Sequence, residues 1–128
     1  MRYVLLIAGI LFVQACMAQR LPPTPDWFAG TWLAQPDGER DLTACVGGVS
    51  VSYLADGRFS HWEWSGEWRL EGDLLIEMAT LDHEMVPPDE VPLGKPESSR
   101  IERIGRDEMR QTLPNGERVT YLRCPENR

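Results

Sequence analysis

The sequence offers few side chains for catalysis: two histidines, three cysteines, and twenty carboxylates against thirteen lysines and arginines. His61 has Glu63 two positions on, and His83 is flanked by Asp82 and Glu84. Nitrogen and oxygen donors of this kind suit a divalent transition metal. Residues two apart on a strand share a face. A strand through residues 58–64 therefore puts His61 and Glu63 on one side and Trp62 and Trp64 on the other. The polar pair is expected to face water, so no metal site is expected. Phe59 falls on that polar side and calls for a bulge near Ser60. No serine sits in G-x-S-x-G or S-x-x-K, and no glycine-rich phosphate loop is present. Acidic neighbours such as Asp89-Glu90 fall in a loop. No catalytic residue and no cofactor is expected, and the chain is read as a non-enzyme.

The five tryptophans (Trp27, Trp32, Trp62, Trp64 and Trp68) say more. Each buried ring contributes a few kcal/mol at about 25 cal/mol per Å². They either fill a small core or line an aromatic pocket for an apolar or planar guest. The pocket reading assigns ligand binding to Trp62, Trp64 and Trp68. The two readings compete for one volume, because rings that fill a lumen leave no site.

The cysteines bear on compartment. Residues 3–13 form an unbroken apolar run after Met1-Arg2. As a helix it rises about 17 Å, against about 30 Å for a bilayer's hydrocarbon core. That length suits the core of a signal peptide, here residues 1–18. Cleavage after Ala18 predicts a periplasmic or secreted protein. Alternatively Val13-Gln14-Ala15-Cys16 resembles a bacterial lipobox, which makes Cys16 a lipidated N-terminus and the protein an outer-membrane lipoprotein. Membrane association is expected only in that second case. Either route leaves Cys45 and Cys124, which are expected to pair outside the cytosol. Their loop of about 80 residues is worth about 4 kcal/mol by chain entropy. Two unpaired buried thiols are the alternative. The spacing matches no zinc motif.

The elements that must position these residues read as short strands. The chain has 128 residues, 42% apolar and 26% charged, with ten prolines and eleven glycines, enough for one domain rich in turns. Its net charge of −7 argues against a nucleic-acid partner. Residues 19–25 are a stiff proline-rich lead, and the domain spans residues 26–128. Eight strands are expected at residues 30–34, 42–54, 58–64, 67–70, 74–80, 100–104, 108–113 and 117–124. Turns are expected at Asp56-Gly57, Ser65-Gly66, Gly72-Asp73, Gly105-Arg106 and Asn115-Gly116. On the fifth strand Leu74, Ile76 and Met78 share one face. Residues 81–99, with Pro87, Pro88, Pro92 and Pro96, are expected to be a loop, either a lid hanging over one mouth or a mobile acidic surface loop. The sum is an all-β, eight-stranded antiparallel up-and-down barrel, with a β-sandwich as the alternative.

Gly30-Thr31-Trp32 on the first strand resembles the G-x-W signature of lipocalins and related calycins. Together with Gly66-Glu67-Trp68-Arg69-Leu70 and Gly72-Asp73-Leu74 it also resembles small bacterial envelope proteins called lipocalin-like. The resemblance implies that Trp32 packs across a closed barrel end beneath Arg123 of the last strand, a cation–π contact. It implies an exported, monomeric binding protein for a small apolar ligand or an envelope protein. Arg20-Leu21-Pro22 ahead of the G-x-W strand resembles the periplasmic inhibitors of secreted metalloproteases, whose N-terminal segment enters the protease cleft. A structural envelope protein with no ligand is the third reading.

Overall fold

The computed structural model describes residues 21–46 and 49–126. The expected signal peptide, with Cys16, and the first two residues of the lead lie outside the described residues. Thr24 caps a one-turn helix, α1 (Pro25–Phe28). Its hydroxyl accepts from the Trp27 N–H, and Pro25 sits at the first turn, where no backbone donor is needed.

Eight strands follow: β1 (Gly30–Ala34), β2 (Val51–Tyr53), β3 (Arg58–Ser60), β4 (Trp64–Glu71), β5 (Leu74–Asp82), β6 (Pro96–Arg103), β7 (Glu108–Thr112) and β8 (Arg118–Arg123). Each pairs antiparallel with its sequence neighbour. β1 also pairs with β8 through Trp32–Arg123, Leu33–Leu122 and Ala34–Tyr121, so the sheet closes into an up-and-down barrel and leaves no free edge. The sandwich alternative is thereby excluded. Turns at residues 54–57, 72–73 and 104–107 stand at one end with α1. Connections 61–63, 83–95 and 113–117 stand at the other.

The structure corrects four expectations. Residues 42–54 are not one strand. Asp41 accepts from both the backbone and the hydroxyl of Thr43, folding Thr43–Val46 into a 3₁₀ turn, and among the described residues of this stretch only Val51–Tyr53 joins the sheet. Residues 61–63 are a turn closed by His61 N–H to Trp64 O at 2.9 Å, so His61 and Glu63 do not share a strand face. Ser65-Gly66 is not a turn but a register irregularity inside the long β4–β5 pair. There a Cβ on Gly66 would lie 1.9 Å from the Met78 carbonyl oxygen. Glycine is required by close backbone approach rather than by chain reversal. The proline-rich loop is shorter than expected, because Asp82 ends β5 and Pro96 starts β6. A strand's first position tolerates the missing N–H. This loop folds back on β5 through Gly94 N–H to Ala79 O at 2.8 Å and the buried Val91.

The core occupies the end beneath α1. Phe28 sits 4.4 Å from the Tyr53 ring, 5.2 Å from Trp68 and 6.2 Å from Trp32, centroid to centroid. Leu75, Ile101 and Met109 fill in around them, all essentially inaccessible to solvent. The inward face of β5 is Leu75 and Ala79, with Glu77 between them.

Candidate functional site

The two ends of the barrel are packed differently. At the α1 end, Arg123 extends its guanidinium over the Trp32 ring at 4.2 Å and the edge of Trp27 at 5.9 Å. It donates to the Ala29 carbonyl at 2.8 Å, to the Trp27 carbonyl, and to Asp107 at 3.1 Å. Arg103 stacks on Trp27 as well, at 4.8 Å. Gly30 has φ +140°, and a Cβ there would meet Arg123 Nη1 at 2.6 Å. The glycine of the G-x-W tripeptide is therefore needed twice, for its backbone and for the path of the arginine. The Trp32 indole N–H is satisfied by the Phe28 carbonyl at 2.8 Å. This end is sealed.

Cys45 and Cys124 form a disulfide, Cα atoms 5.8 Å apart. It ties the Thr43–Val46 turn to the chain just beyond β8, on the outside of the barrel. The Cys124 N–H also reaches Thr31 O at 2.8 Å, continuing the β1–β8 seam by one more bond.

The opposite end holds a cavity of about 160 Å³. Its apolar walls are Val51, Phe59, Trp64 and Leu113. Its polar groups are Tyr53, Glu77, Tyr121, Gln111 and His61. Tyr53 donates to Glu77 Oε1 at 2.5 Å. Gln111 Nε2 is held by the Ser99 hydroxyl at 2.7 Å. Burial pushes the Glu77 carboxyl above its usual range. The Tyr53 hydrogen bond opposes that shift and the negative charge of Glu97 adds to it. Burial also raises Tyr53 well above the normal phenol, reinforced by the Glu77 charge. For the same two reasons Tyr121 is pushed up to about 12. His61, its ring 5.3 Å from Trp64, is depressed by burial, so it is neutral at physiological pH.

The three tryptophans assigned to ligand binding from sequence are separated. Trp64 lines the cavity. Trp68 is 8% exposed, lies in the core and donates to the Leu54 carbonyl at 2.9 Å. Trp62 is 40% exposed on the β3–β4 turn. Leu81, Met85 and Leu93 are also exposed near this end. His83 does not meet His61 in a metal-binding arrangement. It contacts the Trp62 carbonyl and the Ser65 hydroxyl, each at 3.2 Å, tying the 83–95 loop to the β3–β4 turn. Among the described residues no group of three or more His, Cys, Asp or Glu is placed to hold a metal ion.

The residues missed from sequence are Glu77, Tyr53, Tyr121 and Gln111. For Glu77 a signal exists. Residues 74–80 read LLIEMAT, one charge inside an apolar strand. Period two shows that Leu74, Ile76 and Met78 share a side but does not show which side is inside.

The molecule is thus a small closed eight-stranded β-barrel with a buried aromatic cluster and one open end. No protein-family model, curated protein or solved structure matches the chain, so the site is interpreted from its own geometry. Among the described residues no helix is long and apolar enough to cross a membrane.

Proposed function

We propose that this protein is an exported, lipocalin-like carrier that binds one small molecule in the open end of its barrel. The observation that carries this reading is the asymmetry of the lumen, packed under α1 and Arg123 and open as a cavity of about 160 Å³ at the other end. A cavity of about 150 Å³ is enough for benzene. Drug-sized ligands occupy about 300–1,000 Å³. The guest is therefore one ring or a short chain, not a fatty acid. Trp32 beneath Arg123 supports the calycin-like reading. The apolar leader and the Cys45–Cys124 bond support an oxidising compartment outside the cytosol.

Calorimetric titration with one-ring probes tests the reading. One-to-one saturation is expected, lost when Leu113→Trp fills the mouth. Failure of every one-ring probe to saturate the protein overturns it. A second reading, inhibition of a protease by the N-terminal lead, draws on the exposed Leu21 ahead of α1. Deleting residues 19–23, which stops short of the Thr24 cap, separates the two. Lumen binding survives the deletion, whereas inhibition would not.

A further inference from the structure

Glu77 is the carboxylate among the polar groups of the mouth, and a simple apolar pocket does not explain it. It stands opposite Trp68 on β4, so its side chain shares the inward face. The ion pairs found among the described residues leave it out: Arg40–Glu108, Arg58–Asp56, Arg69–Glu71, Arg100–Asp73, Arg110–Glu102 and Arg123–Asp107. Its register partner on β6 is Glu97, so a second carboxylate sits on the same face nearer the rim. The other titratable neighbours are phenols, Tyr53 on β2 and Tyr121 on β8, and the neutral His61 on the β3–β4 turn. A partly buried carboxylate without a cation is costly, and buried charges are normally paired. Around it stand Tyr53, Phe59, Trp64 and Tyr121. Aromatic faces beside a carboxylate are the chemistry that recognises ammonium ions.

Building on the small-molecule reading, we infer that the guest is a small organic cation, a one-ring or short-chain ammonium whose nitrogen lies against Glu77 among these rings. The ligand supplies the positive charge that no ion pair among the described residues supplies. Glu97 at the rim adds attraction for an incoming cation and repels carboxylates. Binding favours ionised Glu77, so affinity falls as acid protonates that carboxyl.

Three probes of nearly equal size separate the outcomes when titrated into the full mature protein: benzylammonium, benzyl alcohol and benzoate. Benzylammonium is expected to bind at least about tenfold more tightly than benzyl alcohol, with benzoate not detected. Glu77→Gln is expected to erase the preference for the ammonium while the alcohol still binds. Glu97→Gln, at an exposed position, is expected to weaken the preference by a smaller factor and guards against a folding defect at Glu77. If benzyl alcohol or benzoate binds as well as benzylammonium, the inference falls and the small-molecule reading stands. If none of the three binds, both fall.

Discussion

At the scale of single residues, Glu77 contributes to the pH response of the folded protein. Its folded-state carboxyl is raised above the ordinary value, mainly by burial. The folded chain therefore holds this proton more tightly than the unfolded chain does. The associated stability is complete below the ordinary glutamate range and is lost as pH rises through the raised value. Asp41 and Asp56 are lowered by hydrogen bonds to Thr43 and Arg58, which gives the opposite slope at lower pH. Both lie outside the lumen, so the difference between wild type and Glu77→Gln isolates the one residue. The ligand-free variant, whose amide oxygen still accepts from Tyr53, is expected to melt a few degrees higher at neutral pH. The gap is expected to close on acidification, and thermal melts from pH 4 to 8 check this.

At the scale of elements, the β4–β5 pair is the longest ladder, and at Gly66 it leaves no room for a side chain. Gly66→Ala places a methyl on the Met78 carbonyl, where neither partner can rotate away. A loss of about 1–3 kcal/mol is expected, of the size of other overpacking substitutions. It should appear as a lower urea midpoint with unchanged slope. The strands legible in the sequence were those bracketed by local turn chemistry. Asp56-Gly57 precedes β3, Gly72 separates β4 from β5, and Asn115-Gly116 joins β7 to β8, each with its glycine at positive φ. Of the expectations that failed, the strand through residues 61–63 was lost to a local bond, His61 to Trp64, and two others to contacts between distant residues. Ser65-Gly66 has the composition of a turn, but its glycine answers to a neighbouring strand. Residues 42–54 alternate well, yet most of the segment leaves the sheet to bring Cys45 to Cys124. The site was less legible than the fold. Trp64, named from the sequence, lines the cavity, but Glu77 was hidden by three larger apolar neighbours on the outer face of the same strand.

At the scale of the whole molecule, the disulfide and the β1–β8 seam do the same work from two directions. The bridge joins residues 79 apart in sequence. A loop of that length is worth about 4 kcal/mol in the chain-entropy description. Replacing both cysteines with serine is expected to lower stability by about that amount while leaving a β-dominated far-UV circular dichroism spectrum. Denaturant unfolding followed by circular dichroism measures both. A fall of less than about 1 kcal/mol would mean that the seam alone holds the two ends.

The seam has a consequence for the order in which the barrel can close. Trp32 meets its partner Arg123 only once β8 is free to pair with β1. Before that pairing the sheet keeps two open flanks, each a row of unanswered donors and acceptors. The last latch joins the two strands that stand farthest apart along the chain, so the step that seals the molecule is also the one with the longest loop to close.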